Sequence, residues 1–218
     1  MFVHVEAPKL KKLVSYEKDG KRFYITPYGE FPSITTVLGW FPNPALEAWR
    51  QAVGEQEAER AATIGKMRGT ALHNILEKYL KNERQTIVMP DMIESFRNMK
   101  PVLARINNIH QVECALYSKR LGLAGRTDVI GEFDGVLSVI DFKTSNREKH
   151  KEDISNYFQQ GSGYANMYEE MTGVKIDQVV ILVACEDANV PQVLIERSKD
   201  HIGALEHKVF QYKEAHEC

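Results

Sequence analysis

Residues 125–145 read GRTDVIGEFDGVLSVIDFKTS, from Gly125 to Ser145. Two extended runs, Leu123 to Phe133 and Val136 to Lys143, are joined there by Asp134-Gly135. An Asp-Gly pair between such runs marks a tight β-hairpin, because both turn positions need positive φ. Alternate residues of a strand share a face, so Asp141 and Lys143 point the same way with Phe142 between them. Asp128, on the neighbouring strand, reaches Asp141 if the register pairs the strand ends remote from the turn. Two carboxylates and an ammonium on one face leave two readings open. Either the face is solvated, or the charges are buried and compensated, since each unpaired buried charge costs on the order of several kcal/mol. A hard divalent cation resolves the second case by taking carboxylate oxygens, a backbone carbonyl and waters. Lys143 could then orient or deprotonate a water, or neutralise charge on a phosphodiester.

Outward from this hairpin the period of apolar residues sorts the chain. Before it, Val112, Cys114 and Leu116 alternate with Glu113, Ala115 and Tyr117, a third extended run with Glu113 on its polar side. After it, Ile154 to Glu170 is helical and stops at Gly173, and Asp177 to Cys185 is an apolar run suited to a central strand buried on both sides. Val190 to Ile195 follows as a strand, then a closing helix from Ser198 to about Glu214. Upstream, Phe31 to Leu38 contains a capped helix start, and Ala45 opens a helix before Gly65 and Gly69 interrupt the pattern. A separate helix is expected from Thr70 to Leu80, with Leu72, Ile75, Leu76 and Tyr79 on one stripe, and another from Pro90 to Ile106. Residues 1–30 carry a short hairpin around Asp19-Gly20. The sum is an α/β fold, a mixed sheet with helices on both faces.

Composition narrows the function. The chain has 218 residues and a net charge of −2, which excludes a globally basic nucleic-acid coat but not an enzyme with a local basic groove. Residues 119–151 carry seven basic and five acidic side chains, so they are locally positive. Three cysteines exclude a disulfide scaffold and a four-cysteine cluster from one chain; Cys114 and Cys185 are expected reduced and buried. The longest apolar run, Val179 to Cys185, is too short to cross a bilayer. The start, MFVHVEAPKLKK, has no apolar stretch of signal-peptide length, so a cytoplasmic protein without membrane contact is expected.

Three further features surround the acidic hairpin. Gly69-Thr70-Ala71-Leu72-His73 opens a helix with a histidine that could be a ligand or a plain core residue. Gln160 and Tyr164 lie at i and i+4 on one helix face. Glu113 could join or tune a metal site or simply be solvated. In order, Gly69…His73, Gly125…Asp128, Asp141…Lys143 and Gln160…Tyr164 resemble the RecB-type branch of the PD-(D/E)XK nuclease superfamily, within it the group of mitochondrial genome maintenance exonucleases and their phage and bacterial relatives. The early Pro32-Ser33-Ile34-Thr35 segment, the Trp49 helix and VIDFKTS at Val139 to Ser145 belong to the same resemblance, which covers roughly residues 30–215.

The resemblance implies a restriction-endonuclease-like core over 31–218 carrying a helical arch, with 1–30 as an N-terminal hairpin arm. It implies a Mg²⁺- or Mn²⁺-dependent DNA exonuclease acting on single-stranded ends, in repair, recombination or replication. His73, Asp128, Asp141 and the Phe142 carbonyl would hold the metal, and Lys143 would be the catalytic lysine beside Asp128 and Asp141. Gln160 and Tyr164 would support the site; Glu113, Arg68, Arg126 and Arg147 are further candidates for site support or DNA contact. Trp40, Phe41 and Trp49 are candidates to stack on bases. Partners would be DNA and recombination or replication proteins, in a bacterial or phage-infected cell. Two alternatives are a sequence- or structure-specific endonuclease of the same fold and a non-catalytic binding or assembly module. With no targeting-type stretch at its start and no four-cysteine set, neither the mitochondrial setting nor the iron–sulfur relatives are expected.

Overall fold

The period-2 runs that begin at residue 106 form one five-stranded sheet. The computed structural model describes residues 1–84 and 90–216; Cys218 lies outside them. The strands are β4 (Ile106–Ser118), β5 (Leu123–Phe133), β6 (Val136–Ser145), β7 (Gln178–Cys185) and β8 (Gln192–Arg197), in the spatial order β4-β5-β6-β7-β8. β5 runs antiparallel to both its neighbours, β4 and β6; β6 and β7 are parallel, and β8 returns antiparallel to β7. The parallel step needs a crossover, and α5 (Ser155–Thr172) supplies it. Asp134 and Gly135 both have positive φ, 51° and 80°, as a tight two-residue turn between β5 and β6 requires.

Both faces of this sheet are covered. On one, Leu72, Leu76 and Leu80 of α3 (Glu55–Leu80) and Met99 of α4 (Pro90–Leu103) pack against Val129, Ile140, Phe142 and Leu182. On the other, α1 (Ile34–Trp40), α5 and α6 (Ile202–His216) bring Ile34, Val37, Tyr168, Leu205 and Val209 against Leu116, Ile130 and Val139. A smaller sheet, β1 (Val14–Lys18), β2 (Lys21–Thr26) and β3 (Gly29–Pro32), leads into α1, whose first turn is capped by the Ser33 hydroxyl accepting from Thr36 N–H at 2.9 Å. Ser33 bridges Ala124 of β5, so this sheet sits beside the first half of β5.

Two expectations about helices differ from the structure. The chain does not break at Gly65 or Gly69: α3 is one helix of 26 residues through both. A helix-interior glycine costs only about 1 kcal/mol, which the packed half of α3 outweighs. The break falls instead at Gly54, whose φ of 84° ends α2 (Pro44–Val53). The helix begun at Pro90 ends at Leu103 rather than Ile106, because Ile106 already pairs with Phe133 in the sheet. α2 and the first half of α3 stand away from the core, and α2 buries no residue. Cys114 and Cys185 are buried free thiols.

Candidate active site

β5 and β6 pair from the turn only as far as Val129 opposite Ile140. Beyond that point the ladder is replaced by a side chain. The Phe142 N–H donates to Asp128 Oδ2 at 2.7 Å, so the carboxylate occupies the place of a missing strand carbonyl. The gap opened there collects the charged residues. Gly125 lies against Tyr164 of α5, and a Cβ at that position would come within 2.6 Å of the ring. Alternation therefore turns Arg126 and Asp128 to the other side, toward α3. His73 of α3 meets Asp128 there, with Nδ1 3.3 Å from Oδ1, and its ring stands edge-on to Phe142 at 6.1 Å.

Asp141 belongs to a second group across the gap. Lys143 Nζ lies 2.5 Å from Asp141 Oδ2. Gln160 of α5 donates from Nε2 to Asp141 Oδ1 at 3.2 Å and to the Tyr164 hydroxyl at 3.3 Å, and its Oε1 accepts from Lys143 at 3.4 Å. One amide thus ties lysine, aspartate and tyrosine together. Tyr157, three residues before Gln160, places its ring 5.0 Å from Lys143 Nζ. The Lys143 contact to Asp141 Oδ2 is close but off-axis, and that buried oxygen makes no well-directed hydrogen bond.

The electrostatics follow from this layout. Burial works to lift Asp128, but the His73 hydrogen bond and charge, then Lys143 and the Phe142 N–H, hold it below the usual carboxylate range. For Asp141 burial prevails: with Asp128 nearby it outweighs Lys143 and raises the carboxyl. Burial would discharge Lys143, yet Asp141 and Asp128 keep its ammonium protonated. Burial likewise opposes charge on His73, but Asp128 at 3.3 Å, with Asp141 behind it, raises the imidazole from 6.5 to about 9. Glu113 is pushed up from 4.5 to about 7 by burial, then by Asp128 and Glu77.

His73, Glu113 and Asp128 offer ligand atoms within 4.8 Å of one another. One imidazole and two carboxylates form a donor set for a divalent cation. Asp141 falls outside that trio, its carboxylate turned to Lys143 and Gln160, but its Oδ2, ion-paired to Lys143 without a well-directed hydrogen bond, is a buried oxygen of the kind a cation satisfies. The donors present therefore fit a divalent ion.

The other sequence candidates separate. Arg126 is half exposed, 3.9 Å from Glu113. Arg68 is tied to Glu186, its Nη1 2.5 Å from the carboxylate, and so fastens α3 to the end of β7. Arg147 is exposed, its backbone carbonyl accepting from Ser145 Oγ at 2.6 Å, and no acidic partner faces it among the described residues. Trp40 and Phe41 do not stand over the gap: Trp40 packs edge-on to Tyr212 and His216 of α6, at 5.8 and 5.6 Å. Trp49 is exposed on α2. Sequence reasoning placed Glu113 near the site but not among the first donors. Tyr157 was missed; its spacing of three from Gln160 on one helix face was the available signal.

With this geometry in view, comparison with known proteins gives one family. A model of the PD-(D/E)XK nuclease superfamily matches residues 45–211. The chain belongs to the PD-(D/E)XK nuclease superfamily. Its mixed sheet flanked by helices is consistent with that fold, and membership makes it a hydrolase-type protein acting on nucleic acid in a family that uses divalent metals. The chain is also 27% identical to human mitochondrial genome maintenance exonuclease 1 over 132 residues, 54% of this chain and 38% of that protein. The PD-(D/E)XK match starts at residue 45, so β1, β2 and β3 lie outside it. No helix among the described residues is long and apolar enough to cross a membrane.

Proposed function

We propose that the protein is a metal-dependent exonuclease that hydrolyses phosphodiester bonds from free ends of single-stranded DNA. The observation that carries the reading is the buried constellation at the β5–β6 gap: Asp128 with His73 and Glu113 on one side, Asp141 with Lys143 and Gln160 on the other. Charges buried at this density cost stability, and the family similarity supports a catalytic use for them. The exonuclease step rests on likeness to the human protein, whose name describes an exonuclease.

His73, Glu113, Asp128 and Asp141 would hold a divalent ion, Mg²⁺ or Mn²⁺, with the Phe142 carbonyl as a further donor. When bound, such an ion polarises a phosphoryl oxygen and acidifies water. The protein's own groups do the rest. Lys143 keeps its ammonium protonated and presents it from the edge of the gap, where it offsets negative charge that grows on a phosphate in the transition state. Gln160 fixes both Lys143 and Asp141, so neither must reorganise. Tyr164 fixes Gln160 in turn, and Gly125 leaves room for its ring. Arg126 and Arg147 would meet backbone phosphates.

The test uses end-labelled linear and covalently closed circular single-stranded DNA with Mg²⁺ or Mn²⁺. Linear strands should be degraded, circles left intact, and EDTA or Lys143→Ala should abolish cleavage. Cutting of circles would convert the reading to an endonuclease; full activity in Lys143→Ala or in EDTA would remove it.

A further inference from the structure

A second cleft, of roughly 350 Å³, opens beside the gap between the β1–β2 ribbon and β5. It is lined by Ser15, Tyr16, Glu17, Arg22, Tyr24 and Arg126. Ser15 pairs with Tyr24 and Glu17 with Arg22, so these four side chains stand on one face of the ribbon. Arg126 comes from β5, two residues and about 7 Å along the strand from Asp128. The cleft is therefore next to the proposed catalytic centre and shares a strand with it.

Three features say what would fill it. Arg22 is half exposed, and its one acidic partner among the described residues, Glu17 at 3.3 Å, is more exposed still. Such a pair contributes little and is easily exchanged. Arg126 stands 3.9 Å from Glu113, beyond hydrogen-bonding distance. Both guanidinium groups thus retain donors for a planar or tetrahedral oxyanion. The third feature is independent of charge. Tyr24 is only 2% exposed, yet its hydroxyl makes no hydrogen bond among the described residues. That hydroxyl belongs to a residue lining the cleft, so its O–H is free to donate to a ligand there. Two arginines and a free hydroxyl donor suit a phosphate.

We propose that this cleft is a subsite for a flanking phosphodiester of the nucleic-acid strand, held by Arg22, Arg126 and the Tyr24 hydroxyl. The inference rests on the nuclease reading in taking a nucleic-acid strand as the ligand. It assigns the β1–β2 ribbon, which lies outside the family match, the task of holding the strand while one phosphodiester sits at the carboxylates.

The experiment measures binding of a fluorescein-labelled 12-nucleotide single strand by anisotropy in EDTA, where nothing is cut, across a range of salt. Arg22→Ala should weaken binding about tenfold and reduce the slope of log affinity against log salt by roughly 0.7, the loss of one phosphate contact on a single strand. Tyr24→Phe keeps the buried ring and removes only the hydroxyl; it should weaken binding about threefold with the salt slope unchanged. Lys175→Ala, on the loop between α5 and β7, should stay within twofold and so controls for general charge. In Mn²⁺, Arg22→Ala should raise KM for the oligonucleotide with kcat retained within about twofold. Wild-type affinity and salt slope in Arg22→Ala, or no oligonucleotide binding by the wild type in EDTA, overturns the subsite. Wild-type binding without metal-dependent cleavage overturns the nuclease reading instead and leaves the subsite standing.

Discussion

Where β5 leaves β6 the chain buries charge; along α2 it leaves apolar side chains in water. Asp128 and Asp141 are 9% and 2% exposed. Leu46, Trp49 and Val53, spaced along α2, are between 39% and 48% exposed, and no residue of that helix is buried. Each region runs against the ordinary sorting of side chains. They differ in what holds them. The charged gap is gripped by α3 on one side and α5 on the other, through His73, Gln160 and Tyr164, on a sheet packed on both faces. The α2 segment is held mainly by its own helix, with the Asn43 side chain and Pro44 fixing its start. A site that must keep buried charges within hydrogen-bond distance needs the rigid frame.

Truncation tests that contrast most strongly. Phe142 is buried between His73 and the α3–α4 core, so Phe142→Ala should cost about 3–5 kcal/mol and lower the melting temperature markedly. Trp49→Ala should stay within about 0.5 kcal/mol by the same denaturation measurement. A comparable loss at Trp49 would show that α2 is part of the packed frame, and the comparison would fail.

Glycine substitutions sharpen it at smaller scale. Gly125→Ala forces a methyl into the Tyr164 ring, and overpacking of this sort costs about 1–3 kcal/mol. Because Tyr164 bonds Gln160, cleavage should fall along with stability. Gly69→Ala places its methyl at an ordinary 3.5 Å from Thr144 Oγ1 inside a helix, and should stabilise by up to about 1 kcal/mol. A destabilised Gly69→Ala protein would mean that α3 sits closer to β6 than described.

The pH dependence of the metal-free protein is the subtlest effect. His73 rises from 6.5 to about 9 on folding and Glu113 from 4.5 to about 7. Between each pair of values the folded state holds the extra proton, so stability falls as pH rises through both windows. In EDTA the melting temperature should decline from about pH 4.5 to pH 9, with the His73 contribution complete below 6.5 and gone above 9. The gain on adding Mn²⁺ should grow over the same range, because both ligands must lose protons to bind. A flat profile in EDTA would deny the His73–Asp128 pair.

Much of this was legible in the chain before any coordinates. Asp134-Gly135 marked the hairpin, and alternation put Asp141 and Lys143 on one face, where they meet at 2.5 Å. The α3 helix was read as broken at Gly65 and Gly69, since local propensity does not reveal that Leu72, Leu76 and Leu80 anchor its second half. The approach of Glu113 to Asp128 was not legible, because it depends on register and on a φ of 54° at Glu113 within β4. Nor was the withdrawal of Trp40 and Phe41 to α6, a contact made across more than 160 residues of chain.

Calorimetric titration of Mn²⁺ into the wild type and into Asp128→Asn tests the metal centre most directly. Asp128 touches both His73 and the β6 backbone, so its carboxylate should decide the site. The wild type is predicted to bind Mn²⁺, and Asp128→Asn to lose at least about tenfold in affinity while circular dichroism shows the same fold. Wild-type Mn²⁺ affinity in a folded Asp128→Asn protein would contradict a cation held at the gap between β5 and β6.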